Sequence, residues 1–318
     1  MSHNDIFMDN SVQEHERFEM EQLSETAFKK PVFDGVQHTL TMESGQEVIL
    51  EPFQNFSNMI FVSCDLSRLS LTSCNFSGCK FINCQVDYTE FSHSDFSGAT
   101  FIDSDISGSA FLWGTLDKAT FRSCSLERAR FNYAKMSKIV FESCNLATAE
   151  FIQSALNKSV FTKCILDGCK MAGSDIKNAV FNEVSAQDIK WRLVCVNLSG
   201  SKFFKCQTTY AEFYKCALQH VFFDQSNLWR SSFWFSTFTQ TVAVHTGFNE
   251  SKFRNCVFVS CEFSACRLRT TNFARSIFEL NKISFSSLES ANFSSAVILS
   301  MEMVDNYCGT ADQFPTKF

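Results

Sequence analysis

From Phe56 to Phe181 every fifth residue is large and apolar: Phe56, Phe61, Leu66, Leu71, Phe76, Phe81, Val86, Phe91 and onward without exception. That run holds 26 positions, 14 of them Phe. After a break the pattern resumes at Leu198 and runs to Met303 through 22 further positions, 12 of them Phe, lapsing only at Thr208 and Ala243. A helix repeats its apolar face about every 3.6 residues and a half-buried strand about every 2. A period of five fits neither. The residue two before each centre is small, as in Cys64, Cys74, Cys79, Cys84, Thr89, Ser94, Ala99, Ser104 and Ser109.

A longer period lies over the short one. Positions 20 apart share their chemistry: Phe61, Phe81, Phe101, Phe121, Phe141, Phe161 and Phe181 form one series, and Leu66, Val86, Ile106, Leu126, Leu146 and Leu166 an aliphatic one. In the second half Phe213, Phe233, Phe253, Phe273 and Phe293 form a third. Four five-residue units therefore close one coil. Like side chains stack in columns at the ~4.8 Å spacing of adjacent strands. The pattern predicts about 12 coils and a rod on the order of 58 Å long. Pro is absent between Pro52 and Pro315, as expected where a lost N–H would break a ladder.

Thirteen of the fifteen cysteines occupy the small position, all but Cys195 and Cys308. The residue just before the centre is often Asp or Asn, as in Cys64-Asp65-Leu66, Cys74-Asn75-Phe76 and Cys144-Asn145-Leu146. This resembles the bacterial-type pentapeptide-repeat family, whose unit reads A(D/N)Lxx, with Cys, Ser or Thr in first place and Phe at the centre. The resemblance implies an all-β fold, a right-handed quadrilateral parallel β-helix (solenoid) with its small and central positions inward. It covers residues 53–305, with a register break near 183–197. There the centre shifts by two residues, through an insertion of two or a loss of three, with Trp191 still in the first frame and Leu198 starting the second. Residues 306–318 form a polar C-terminal tail.

Residues 1–52 lie outside the frame and are expected to cap the first coil, since an open coil presents unpaired strand edges; the rival reading is a separate recognition or export segment. Within them 12–24 (VQEHERFEMEQLS) suit a short acidic helix, and Thr39–Leu50 a hairpin around ESGQ. Phe28 and Phe33, five apart, suggest an irregular first coil. The chain's acidity is concentrated here: residues 1–51 carry eleven acids against three bases, residues 52–318 carry 23 acids against 25 bases. The start, MSHNDIFMDN, has neither a basic nor an apolar stretch of the kind a Sec-type signal needs. Nothing approaches a membrane-spanning run of ~20 apolar residues.

The cysteines read as packing. C-x4-C-x4-C at Cys74–Cys84 and Cys256–Cys266 is no zinc signature, free Cys behaves as a small buried hydrophobe, and stacked parallel side chains hold Cβ atoms too far apart for a disulfide. No metal or cofactor is expected. Many unpaired thiols point to a reducing compartment, the cytoplasm; export by a dedicated secretion system is compatible with this. His3, His15, His38, His93, His220 and His245 show no ligand spacing. No nucleophile-elbow, phosphate-loop or dinucleotide fingerprint appears. A rod filled with Phe offers no concave pocket for a small-molecule substrate, so an enzyme is not expected.

Outward aromatic residues are the informative departure. Phe204, Tyr210, Tyr214, Phe222, Trp229, Trp234 and Phe235 all lie off the inward positions within two coils. Tyr214 and Trp234, 20 apart, should sit one above the other. Clustered exposed aromatics mark partner sites, so Phe204, Tyr214, Phe222, Trp229, Trp234 and Phe235 form the candidate partner-binding surface; the bland alternative has them covering a loop or the cap. A second candidate joins the column His93, Trp113 and Tyr133 with the lysine column Lys118, Lys138 and Lys158, near Arg122, Arg128, Arg130 and Lys135. Stacked cations repel, which suits an anionic partner or a solvated face.

The resemblance implies binding roles only. One is a scaffold or adaptor for another protein, including proteins associated with bacterial secretion systems. A second is an injected effector, and a third is topoisomerase protection by DNA mimicry, giving quinolone or toxin resistance. A near-neutral rod disfavours the third, and it lacks the broad basic stripe that direct nucleic-acid binding needs. The expected function is a non-catalytic protein–protein interaction scaffold.

Overall fold

The computed structural model describes residues 29–34, 37–41, 47–187 and 191–308. In the repeat region each coil lies on the last in parallel register. Phe61 pairs with Phe81, Phe81 with Phe101 and Phe101 with Phe121. We number the four faces by their inward centres, taking Phe76, Phe81, Val86 and Phe91 as the first to the fourth. Asn75 bridges Asp95 on the first face, Gln85 bridges Asp105 on the third and Glu90 bridges Ala110 on the fourth. On the second face thirteen strands form one parallel sheet that ends at Met301–Val304. The fold is thus an all-β, four-sided solenoid of about 12 coils.

Every centre from Phe56 to Phe293 is buried. Phe81 stacks on Phe61 at 4.7 Å and on Phe101 at 4.4 Å between ring centroids, each pair within 4° of parallel. The strand spacing and the stacking distance of aromatic rings nearly coincide. One Phe per coil in each such column therefore stacks without a gap, at ~2 kcal/mol of burial per ring.

The small position does more than fit. Cys84 Sγ donates to the carbonyl of Phe61 (3.3 Å) and Cys144 Sγ to that of Phe121 (3.3 Å). Ser154 Oγ donates in the same way to Phe131 O (2.6 Å) and Thr271 Oγ1 to Phe248 O (2.9 Å). In each case a side-chain donor reaches the carbonyl of a centre 23 residues earlier, in the coil below. Where a Ser stacks on a Cys, its hydroxyl also accepts the Cys amide, as from Cys84 N to Ser104 Oγ (3.0 Å) and from Cys256 N to Ser276 Oγ (3.0 Å). Cys, Ser and Thr therefore gain a buried hydrogen bond at this position, beyond the packing that sequence alone suggested, which the Ala residues that also occupy it, such as Ala99 and Ala119, do not make.

Corners follow a rule of their own. The residue two past a centre takes a left-handed backbone, as at Trp113 (φ 60°), Lys118 (φ 61°) and Tyr133 (φ 63°). The residue one past a centre lies at the end of a face, and the next turns the corner.

The register break is one coil of 22 residues: Phe181 pairs with Phe203 and Ile176 N donates to Asn197 O (2.9 Å). Pairing continues through it. The first-frame placement of Trp191 is corrected. Glu212 N donates to Trp191 O (2.8 Å) just as Ser232 N donates to Ala211 O (2.9 Å), so Trp191 stands at a small position and Leu193 is the centre. Its buried ring lies 5.3 Å from Phe181, 6.2 Å from Phe203 and 6.3 Å from Phe213. It reaches from the fourth face towards the second, across the column where Ala186 and Thr208 replace the earlier Leu residues.

At the N-terminal end β1 (Lys29–Asp34), β2 (Gln37–Thr41) and β3 (Glu47–Ile49) form an antiparallel sheet in the order β1-β2-β3. Phe33 pairs opposite His38 in this sheet and does not begin a coil. The helix expected over 12–24 lies outside the described residues, as does most of the tail. At the other end the last bridge is Ser287 to Tyr307, two residues beyond the expected limit of the repeat.

Candidate partner-binding surface

Tyr214 and Trp234 each follow an inward Phe of the fourth face, Phe213 and Phe233, and Phe235 turns the corner beyond it. Lys215 N donates to Trp234 O (3.0 Å), tying the two coils together. The Tyr214 ring meets Phe235 edge-on at 5.8 Å; no ring contact joins it to Trp234, its expected neighbour. The Lys215 ammonium lies 5.2 Å over the Tyr214 ring. Trp234 is 41% exposed and Phe235 52%.

The same face is entered at its opposite corner by Tyr210. Its ring meets that of Trp229 at 5.4 Å. Arg230 fixes both. Its guanidinium stacks 4.2 Å over Trp229, donates from Nη1 to the Tyr210 hydroxyl (2.9 Å) and from Nε to Glu250 Oε2 (2.7 Å). Trp229 Nε1 donates to the other oxygen of Glu250 (3.1 Å). Hydrogen bonds from Arg230 and then Trp229 lower the Glu250 carboxyl below its ordinary range, and Glu250 and Tyr210 raise Arg230. Arg230 and Glu250 thus hold the Tyr210 and Trp229 rings in place. Neither Arg230 nor Glu250 stood out in the sequence, because charged residues at outward positions are the rule.

Phe204 and Phe222 do not belong here. They flank Phe203 and Phe223 on the second face, half-buried, with rings tilted against each other at 5.7 Å. Phe204 precedes Tyr214 by ten residues, which is half a coil and hence the opposite side of the rod. The expected six-residue surface is therefore two surfaces, with Tyr214, Trp229, Trp234 and Phe235 on and beside the fourth face.

Trp113 and Tyr133 also stand on the corner that leaves the fourth face. Their rings stack at 4.1 Å, within 4° of parallel, and remain 56% and 40% exposed. Phe235 lies on the same edge of the rod. Lys118, Lys138 and Lys158 stand instead on the corner that leaves the first face, exposed and without an ion pair among the described residues. Of the nearby cations, Arg122 pairs with Glu142 (3.2 Å) and Arg128 with Glu127 (3.5 Å).

Beside Trp229 an open hollow of about 610 Å³ is bordered by Glu250, Lys252 and Arg269. All fifteen cysteines are free thiols; Cys195 is exposed and Cys308 half-buried. Among the described residues no three His, Cys, Asp or Glu side chains converge as a metal site, and no helix is long and apolar enough to cross a membrane.

Residues 74–151 match the family described as pentapeptide repeat region, and residues 55–85 and 144–182 match pentapeptide repeats (8 copies). No curated protein matches the sequence. Among solved structures the chain is similar to HetL, a pentapeptide repeat protein involved in heterocyst differentiation regulation from the cyanobacterium Nostoc sp. strain PCC 7120. That match has 14% identity over 79% of this chain and 88% of HetL, with a TM-score of 0.38. The plasmid-mediated fluoroquinolone resistance protein QnrB1 matches at 14% identity over 78% of this chain and 92% of its own, TM-score 0.23. A PL6 alginate lyase matches at 6% identity over 81% of each chain, TM-score 0.47.

Proposed function

Since the chain belongs to the pentapeptide-repeat family, we propose that it is a non-catalytic scaffold that binds another protein through the fourth face of its rod, between Tyr210 and Phe235. The observation that carries this reading is the pair of preordered aromatic groups at the two edges of the fourth face: Tyr214 with Phe235 at one corner, and Tyr210 with Trp229 of the adjoining third face under Arg230 at the other. Large rings in fixed positions cost little entropy on binding and are typical anchors of interfaces. The interior supports the absence of catalysis, since it is filled by stacked Phe, and the hollow beside Trp229 is open rather than enclosed. The buried thiols suit work in a reducing compartment.

The test is capture of partners from the native host by the full chain, followed by affinity measurement with the double variant Tyr214→Ala, Trp234→Ala. Binding should weaken about 100-fold, as expected for two anchors of roughly 1.4 kcal/mol or more each. The melting curve should barely move, because neither ring fills the interior. Unchanged affinity in the double variant would refute the assignment of this face.

A further inference from the structure

The geometry points to a seat for one acidic amphipathic α-helix of about four turns, lying along the fourth face between Tyr133 and Trp234. The inference rests on the reading of that face given above and names the kind of partner segment it takes.

Two columns of side chains run side by side here, knitted by backbone hydrogen bonds. Tyr133 N donates to Ile152 O (2.9 Å), Gln153 N to Ala172 O (2.8 Å), Gly173 N to Val194 O (2.8 Å), Cys195 N to Tyr214 O (2.8 Å) and Lys215 N to Trp234 O (3.0 Å). The face column thus reads Ile152, Ala172, Val194, Tyr214, Trp234 over five consecutive coils, with no charged residue. The corner column beside it reads Trp113, Tyr133, Gln153, Gly173, Cys195, Lys215 and Phe235, with aromatic rings at both ends and one cation, Lys215, 5.2 Å over the Tyr214 ring. The uncharged face column, flanked by rings at both ends of the corner column, makes a saddle along the rod axis whose floor is apolar and whose corner edge carries Gln153 and Lys215. Gly173 takes φ +69°, so a glycine there meets the corner geometry without strain, and the Gln153 side chain lies against it.

The dimensions select a helix. Tyr133 and Phe235 are five coils apart, ~24 Å, the length of a helix of roughly 16 residues. A helical turn rises about 5.4 Å, close to the ~4.8 Å coil step, so each turn can set one apolar side chain on each coil. An extended segment would repeat about every 6.6 Å and lose register. It would also find no free edge, because the amides on this face are already spent in the ladder between coils.

The charge selects an acidic helix. The carboxylates along the saddle are engaged, Glu150 by Lys170 (2.8 Å) and Glu212 by Arg192 (3.5 Å). Around its ends stand Lys135, Arg254 and Arg275, all exposed and none with an ion pair among the described residues. Glutamates on the flanks of a docked helix would meet these cations.

The probe is a fluorescein-labelled 16-residue peptide with Leu at helical spacing and Glu elsewhere, titrated with the full chain and followed by anisotropy. A peptide of the same composition with the apolar stripe scrambled, and one with Lys in place of Glu, serve as comparisons. The acidic amphipathic peptide should bind at least tenfold tighter than either. Ala172→Arg should weaken it at least tenfold with the melting curve unchanged; its column already holds an arginine at Arg254. Trp234→Glu is the second variant, on a ring that is exposed, and should do the same. Arg254→Glu with Arg275→Glu should shift preference towards the lysine peptide. No binding, equal binding of the scrambled peptide, or indifference to both Ala172→Arg and Trp234→Glu would overturn the inference. If the peptide fails while Tyr214→Ala, Trp234→Ala still loses the native partner, only this inference falls. If that double variant keeps its partner, both readings fall.

Discussion

The indole of Trp113 lies flat on the ring of Tyr133, centroids 4.1 Å apart, with both residues partly in solvent. Both residues hold a left-handed backbone, a conformation that costs a non-glycine residue on the order of 1 kcal/mol. Neither ring reaches the core, so the stack contributes only the ~1 kcal/mol of an aromatic pair.

That gives a first expectation. Trp113→Ala should lower stability in urea by about 1 kcal/mol, with the slope of the transition unchanged. A loss above ~3 kcal/mol would place the ring over buried structure and remove this edge from consideration as a free surface.

The core makes the opposite demand. Phe141 is wholly buried, stacked on Phe121 at 5.2 Å and on Phe161 at 5.1 Å. Phe141→Ala should cost ~3–5 kcal/mol. Each coil touches only its neighbours, so the loss should be local. Hydrogen exchange should quicken in the coils around residues 121–161 well before those near Phe253. Uniform protection would show that these rings are not what holds the coils together.

What the sequence made legible follows from the same contrast. Inward positions leave no latitude, so Phe61, Phe81 and Phe101 reveal both the five-residue frame and the 20-residue coil. The donor role of the small position was hidden because Cys84, Ser154 and Ala99 are equally small; only the geometry shows a thiol and a hydroxyl reaching the carbonyl below. Outward positions are nearly unconstrained, so closeness in sequence misled. Phe204 lies ten residues from Tyr214 yet on the opposite side of the rod, whereas Tyr133 and Phe235, 102 residues apart, share one edge. At the break the two frames overlap over a few residues, and a Trp at a small position passes for a centre.

Trp191 offers a sharper test of packing. Its ring spans the interior where Ala186 and Thr208 are the smallest members of their column. Trp191→Ala should cost ~3–5 kcal/mol by opening a cavity. Ala186→Leu should destabilise the natural protein by ~1–3 kcal/mol through overpacking. In the Trp191→Ala background it should restore part of the loss. Additive effects of the two changes, measured by a double-mutant cycle, would mean the residues do not share that space.

The buried thiols predict an alkaline limit to stability, and its sign can be worked out. Burial raises Cys79, Cys206, Cys216, Cys256 and Cys266 from the ordinary 9.0 to about 12, and Cys261 to about 11. In the folded chain these thiols keep their protons where the unfolded chain has begun to lose them. Their contribution is therefore constant below pH ~9, and between there and pH ~12 stability falls as pH rises, by about 1.4 kcal/mol per pH unit for each thiol titrating. Denaturation midpoints should be flat with respect to these groups near neutrality and drop steeply above pH 9. The same burial should make the thiols inert. At pH 8 a chromogenic disulfide should react at once with the exposed Cys195, more slowly with Cys308, and with the other thirteen only on unfolding. Rapid reaction of many thiols in the folded protein, or a midpoint that stays level to pH 11, would mean the small positions are open to water and the stacked interior is not closed.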